Sequence, residues 1–217
     1  MEEQLDYGNW IRRKKLLILG LCTLGASALF LIPLGSLFRI LATILFAILL
    51  VSFLFPLYAY LMFSQNGGKL QEKIYNLIIQ ELGKDIKGRI LDIGSGNGVL
   101  AVKLARQHGE AEVTGMDYWG EDWEYSKSVC EKNAKAAGVE NRVHFQKGDA
   151  ARLDFASDIF DGATSNLTFH EVKTAANAKS VLQEALRVVK PGGSFVFVDY
   201  FYNETYYGRK MGSNLDY

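Results

Sequence analysis

At 217 residues the chain is long enough for one well-packed domain with a small appendage, and too short for two ordinary enzyme domains. Lysine plus arginine and aspartate plus glutamate balance at 24 each, so no global field draws the protein to nucleic acid or to an acidic substrate. The two cysteines, Cys22 in an apolar run and Cys130 in a helical pattern, lie far apart without metal-ligand spacing; neither a disulfide framework nor a metal site is indicated, and both thiols are expected to be buried.

Apolar residues crowd the first third of the chain. No residue from Leu16 to Phe38 is charged, and after Arg39 a second uncharged stretch runs from Ile40 to Gly68. Each exceeds the roughly 20 residues that a helix needs to cross a bilayer. Pro33, Gly35 and Ser36 fall between them as turn residues, which predicts a transmembrane helical hairpin over 16–63. Arg12, Arg13, Lys14 and Lys15 precede the first span and Lys69 and Lys73 follow the second, so both ends are expected on the cytoplasmic side of the cell (inner) membrane. Residues 1–15 then form a basic cytoplasmic segment. Pro56 is a candidate kink, and Trp10, Tyr58 and Tyr60 are placed either at the inner headgroups or against a helix. The rival readings are a secretory signal peptide and a helical pair inside a soluble fold; the second apolar run opposes the former, and the lack of polar faces opposes the latter.

Residues 64–70, with Gly67 and Gly68, read as a flexible linker. The remainder, 71–217, opens on a helical pattern over Gln71–Leu82 with Ile74, Leu77, Ile78 and Leu82 as its apolar stripe. A short apolar strand, Arg89–Ile93, runs into Gly94-Ser95-Gly96-Asn97-Gly98 and then a helix from Val99 to Gln107. Strand, glycine loop and helix together present backbone N–H groups and a positive helix end to a ligand. The loop lacks the GxGxxG of a dinucleotide site and the Gly-Lys-Ser/Thr of a P-loop. A second strand, Ala111–Met116, ends at Asp117, where a carboxylate can accept ribose hydroxyls or instead cap the following helix, Glu124–Ala137. A third, Arg142–Gln146, leads to Gly148-Asp149-Ala150; a fourth, Phe160–Thr164, exits into Ser165–Val172; a helix over Ala178–Val189 and Lys190-Pro191-Gly192-Gly193 precede a fifth strand, Ser194–Tyr200.

This ordered series, from Asp92-Ile93-Gly94-Ser95-Gly96-Asn97-Gly98 to EALRVVKPGGSFVFVDY, resembles the class I S-adenosylmethionine-dependent methyltransferases, in particular the ubiquinone/menaquinone and sterol subgroup, over about Tyr75 to Tyr202. The resemblance implies an α/β, Rossmann-like domain behind the membrane hairpin, with S-adenosylmethionine as cofactor. It places Asp92, Gly94, Ser95, Gly96, Gly98, Asp117, Tyr118, Asp149, Ala150 and Asn166 at that cofactor, Asp149 near the adenine amino group and Ala150 beside the ring. Asp149 alone reads equally as a turn aspartate. The family normally adds a helix and two antiparallel strands after the fifth strand, whereas only Phe201–Tyr217 follow here. The sheet is therefore short, completed by a partner, or shortened with the chain; an unpaired edge favours a homodimer. Tyr118 to Trp123 is unusually aromatic and acidic, suited to adenine stacking or to surface packing.

A sulfonium methyl is already activated, so the protein must align cofactor and acceptor and exclude water, with no metal required. For a hydroxyl or acidic carbon acceptor a base is needed, and His170 and Glu171 are the candidates; a plain helix start is the alternative. His144, inside a strand, and His108, at a helix end, read as structural. Asp199, Tyr200 and Tyr202 stand where open α/β sheets gather ligand contacts. An anchor beside the bilayer raises the effective concentration of a lipid-borne acceptor, which points to a lipid, quinone or other hydrophobic small molecule. Methylation of a membrane protein and a non-catalytic regulatory module are the alternatives, and no basic stripe interleaved with aromatics suggests nucleic acid.

Overall fold

Side chains that are apolar on every face give two helices with little to bury except each other. In the computed structural model, which describes residues 5–33, 35–83, 86–120 and 124–200, they are α1 (Arg13–Ala28), extended by a 3-10 turn at Leu29–Leu31, and α2 (Ser36–Phe63). Both are long and apolar enough to cross a membrane. Small residues make the seam: Ala26 and Ala42 are buried, Gly20 lies under Phe53, and Thr23 Oγ1 donates to Leu19 O (2.7 Å) and across to Leu49 O (3.2 Å). Leu17, Leu21, Leu24, Val51 and Phe55 are more than 60 % exposed, and Cys22 is exposed with them, contrary to the expected buried thiol; only Cys130 is enclosed. A hairpin that turns its large apolar side chains outward leaves its smallest ones inside.

The stretch expected to be a flexible linker is a hydrogen-bonded turn. Gly67 N donates to Ser64 O, Gly68 N to Leu61 O and Lys69 N to Ser64 O, which closes the last turn of α2. Trp10 packs on the Phe63 ring, 5.0 Å between centroids. The chain falls into two units, Asn9–Lys73 and a second made of Met1–Gly8 with Ile74–Tyr217. The basic segment read as one piece over 1–15 therefore divides at Gly8. Helix α3 (Leu70–Leu82) begins in the first unit and ends in the second, and the residues it buries there are Tyr75, Ile78 and Leu82, with Leu77 half exposed.

In the second unit five strands form one parallel sheet in the order β3-β2-β1-β4-β5: β1 (Gly88–Ile93), β2 (Ala111–Asp117), β3 (Val143–Lys147), β4 (Phe160–Asn166) and β5 (Val189–Val198). Burial on both faces makes β1 and β4 nearly continuous runs of enclosed residues. Leu91, Ile93, Met116 and Ala163 share one core with Val181, Leu182 and Ala185 of α6 (Ala178–Arg187). Helices α4 (Val99–Gln107) and α5 (Lys127–Ala136) pack on β1–β3. β5 starts earlier than the sequence suggests, since Val189 already pairs with Phe160 and Lys190–Gly193 is accommodated as a bulge before Ser194 pairs with Gly162. The conserved direction of all five strands brings every carboxyl end to one edge, and the order reverses between β1 and β4, where open α/β sheets place their ligands.

The crossing from β3 to β4 contains no helix among the described residues and is clamped instead by an arginine. Arg187 donates to Glu184 Oε1 (2.8 Å) and Oε2 (2.9 Å), Leu153 O (3.1 Å) and Phe155 O (2.9 Å), while Glu184 accepts Leu153 N (2.8 Å). The paired guanidinium holds the Glu184 carboxyl below its usual range. Arg187→Met is expected to lose about 2–3 kcal/mol, since charge-assisted bonds to backbone are replaced by none. A denaturant titration of both proteins in detergent checks this. The folded carboxylate's lowered pKa makes its contribution full above 4.5 and lost as pH falls, so the difference between the proteins should narrow in acid.

Candidate functional site

The loop after β1 is shaped by what surrounds it. Gly94 N and Ser95 N both donate to Met116 O (2.8 and 3.0 Å), which folds the loop over the end of β2. Gly94 has φ +79, and a Cβ there would lie 1.9 Å from Thr168 Oγ1, so the loop after β4 presses directly on it. Gly96, at φ +56, is different: the nearest atom to its missing Cβ is a ring carbon of Tyr125 at 3.6 Å, ordinary contact with room to spare. The loop is thus closed by the protein at Gly94 and open at Gly96.

Asp117, at the end of β2, accepts Gly96 N through Oδ2 (2.8 Å) and Trp119 N through Oδ1 (2.8 Å). It does not cap the next helix; Ser126 does, accepting Val129 N. Burial raises the Asp117 carboxyl above its ordinary value, against the lowering effect of those N–H donors. Trp119, at φ +42, turns its indole onto the loop and donates Nε1–H to Gly96 O (2.9 Å). Tyr118 faces outward, 62 % exposed, with Lys147 Nζ 5.1 Å from its ring centre. Of the two aromatics it is Trp119 that meets the glycine loop; Glu121, Asp122 and Trp123 lie outside the described residues, as do Tyr202 and the rest of 201–217.

Asp92 is the deepest charge-bearing group of the site. Its Oδ1 accepts Thr164 Oγ1 (3.0 Å) across the β1–β4 pair, and its Oδ2 has no partner. Desolvation pushes its pKa up to about 6, despite hydrogen bonds that lower it. Near it, among the described residues, three more enclosed polar atoms are unpaired: Ser165 Oγ and Asn166 Oδ1 at the end of β4, and Asn97 Oδ1 in the loop. Buried polar atoms without partners are costly, and these lie at the carboxyl ends of β1 and β4 and in the loop between. That is the pattern expected of a polar ligand's seat.

At the end of β3, Asp149 Oδ1 accepts Ala151 N and Thr174 Oγ1, both at 2.9 Å, so it does form the turn that its sequence setting suggested. Ala150 is buried in the core cluster with Leu153.

The β4–β5 side carries different chemistry. Leu167 is held at φ +51 by its N–H bond to Val198 O (2.7 Å), and the chain then makes a 3-10 turn over Phe169–Glu171. His170 Nδ1 lies 2.5 Å from Asp199 Oδ1, with side-chain exposures of 13 % and 1 %. Asp199 Oδ2 accepts the backbone N–H of Phe169 (2.7 Å) and His170 (3.3 Å), and Tyr200 N donates to Oδ1 (2.7 Å). The Tyr200 ring meets the imidazole edge-on at 4.5 Å, and Glu171 Oε1 is 3.6 Å from Nε2. An aspartate surrounded by donors acts as acceptor, so Nδ1 carries a hydrogen toward it and Nε2 is the ring nitrogen turned to Glu171. Sequence reading found His170 and Glu171 but not this role of Asp199. The available signal was an acidic residue closing the strand beside β4, and the register Asn166↔Val198 is what puts the two together.

A family model described as a methyltransferase domain matches residues 84–213. A ubiquinone/menaquinone biosynthesis C-methyltransferase, UbiE, of Desulfotalea psychrophila is 32 % identical over 122 residues, 56 % of this chain and 45 % of that one. The crystal structure of YcgJ from Bacillus subtilis superimposes with a TM-score of 0.51 at 29 % identity, covering 60 % of this chain and 51 % of that one. The [4+2]-cyclase SpnF does so at 0.50 and 26 %, covering 59 % and 44 %. The chain thus spans about half the length of the curated relatives it matches. With a parallel Rossmann-like sheet and a glycine loop facing an acidic strand end, the chain belongs to the methyltransferase-domain family.

Proposed function

We propose that this chain is a membrane-anchored methyltransferase that moves a methyl group from S-adenosylmethionine to a hydrophobic, quinone-type acceptor that must lose a proton. The observation that carries the reading is the pair His170–Asp199 at the ends of β4 and β5, beside a glycine loop with orphaned polar atoms. The quinone class is supported by the relatives named for ubiquinone/menaquinone biosynthesis. Two helices of spanning length support the bilayer as the place where the acceptor is met, and the basic residues flanking them support a cytoplasmic face.

The cofactor, when bound, supplies an electrophilic methyl on a sulfonium. The residues present fit its other groups: Asp92 and Asn166 can receive an ammonium, the backbone about Gly96 a carboxylate, and Asp117 the ribose hydroxyls. Trp119 and Tyr118 flank that carboxylate. His170 Nε2 accepts the acceptor's proton, and Asp199 both fixes the tautomer that makes this possible and favours the imidazolium that results. Glu171 lies close enough to relay or bias that proton. Water is kept out by the enclosed lining of β4 and by Phe169, which stacks on Phe195 and Phe197.

The test is to incubate the detergent-solubilised chain and membrane extract with methyl-labelled cofactor and to partition the label. Label in the lipid fraction, abolished by Asp117→Ala and reduced about 10²–10⁴-fold by His170→Gln with cofactor binding intact, is the expected result. Label in protein instead would make a membrane protein the acceptor, and no transfer despite binding would leave a regulatory module.

Asp92 adds a pH signature. A carboxylate with pKa near 6 must be ionised to pair with an ammonium, so protons compete with the cofactor below that pH. Affinity for S-adenosylhomocysteine should weaken about tenfold per pH unit below 6 and level off above it. Calorimetric titrations from pH 5 to 8 should show this in the native chain and a shallower dependence in Asp92→Asn, where only the raised carboxyl of Asp117 is left.

A further inference from the structure

Residues Leu5–Gly8 belong to the sheet unit, although nothing in their position along the chain requires it. Their attachment is specific. Asp6 N donates to Asn133 Oδ1 (2.8 Å), and Asn133 Nδ2 donates back to Asp6 O (2.9 Å), so a side-chain amide of α5 pairs with the backbone of Asp6 as a strand would. The same Nδ2 donates to Asn97 O in the glycine loop (2.8 Å). Asn133 and Asn97 are 3 % and 5 % exposed. A second route runs through Tyr125. Gly8 sits at φ +62 against one edge of that ring, where a Cβ would come within 2.8 Å of Cε1, and the opposite edge faces Gly96. Asp6 Oδ1 accepts Gly8 N (2.9 Å), which sets the bend between the two contacts.

We infer that Leu5–Gly8 is a strap that positions the glycine loop for its cofactor, so that strap seating and cofactor binding reinforce one another. Asn97 and Gly96, the two loop residues it reaches, include the orphaned Asn97 Oδ1 and the only one of Gly94, Gly96 and Gly98 that is not tightly packed by protein atoms. Fixing those residues before binding removes an ordering cost from the binding step, and the gain is mutual: a ligand that requires the ordered loop also holds the strap. The inference rests on the reading that the Gly94–Gly98 loop holds S-adenosylmethionine.

The bonds to Asn133 are made by the backbone of Asp6, which distinguishes two substitutions at one position. Asp6→Ala keeps both and gives up the carboxylate's contacts with Gly8 N and, at 3.5 Å, Asn97 Nδ2; Asp6→Pro loses these and the N–H as well. Gly8→Val removes the bend and drives a side chain into Tyr125. In calorimetric titrations of the full chain in detergent with S-adenosylhomocysteine, Asp6→Pro and Gly8→Val should bind about tenfold more weakly than the native chain, and Asp6→Ala, which keeps the backbone pair with Asn133, should lose less than Asp6→Pro. In the native chain, saturating S-adenosylhomocysteine should slow deuterium uptake at Asp6 and Gly8, a readout that a purely structural segment would not give. Unchanged affinity in both strap variants while Asp117→Ala abolishes binding, or uptake that is indifferent to ligand, overturns the strap and leaves the loop reading intact. Native-like binding by Asp117→Ala overturns the loop reading itself.

Discussion

Where β1 pairs with β4 the strand order reverses, and that pairing carries a bond that water cannot replace: Thr164 Oγ1 to Asp92 Oδ1, fully enclosed between the two strands. Because the sheet is parallel, fixing β1 against β4 also fixes which loops adjoin. The glycine loop leaves β1 and the Leu167–Glu171 turn leaves β4, and Thr168 rests on Gly94 at the junction, its hydroxyl donating to Ile93 O. Neighbouring strands then add their ends at about 4.8 Å per step, Asp117 on one side and Asp199 on the other. The groups proposed to hold the cofactor and those proposed to take the proton are separated along one edge by the order of the strands.

Two enclosed carboxyls of this edge differ in what surrounds them. A carboxyl in the middle of a sheet pays for desolvation, and Asp92 does so with Oδ2 left without a partner. Asp199 is as enclosed but faces donors on both oxygens. One carboxyl is left wanting a cation and the other is already engaged by a histidine. Two acidic residues of the same edge are thereby given different work by their surroundings, without any difference in residue type.

How much of this could be read from the residues depends on how local each feature is. The glycine loop, the acidic end of β2 and the five strands are written in short-range patterns, and their bounds differ from the sequence reading mainly at β5, where the bulge over Lys190–Gly193 hides pairing that begins at Val189. The membrane-length helices were legible because composition alone sets their length. The His170–Asp199 pair was half legible: both residues stood at strand ends, but only the register of β4 with β5 joins them across 29 positions. The strap was not legible, since Asp6 and Asn133 are 127 positions apart and neither matches a motif. Which of Tyr118 and Trp119 turns to the loop was decided by the left-handed backbone at Trp119, which a propensity argument does not foresee.

The strap also changes where the catalytic part of this chain begins. Composition places the boundary after the second apolar helix, and a division there would assign every residue before it to the membrane. Yet Asp6, Tyr7 and Gly8 precede the first apolar helix and are bound into the sheet unit, Tyr7 stacking on Tyr75 at 6.0 Å between ring centres. Along the chain, Asn9–Lys73 thus interrupts a unit made of the residues before and after it. Cutting the chain at Ile74 removes more than the two apolar helices. It discards the backbone that Asn133 pairs with and the glycine that bends against Tyr125, and leaves the Asn133 side chain, 3 % exposed, with one of its three hydrogen bonds.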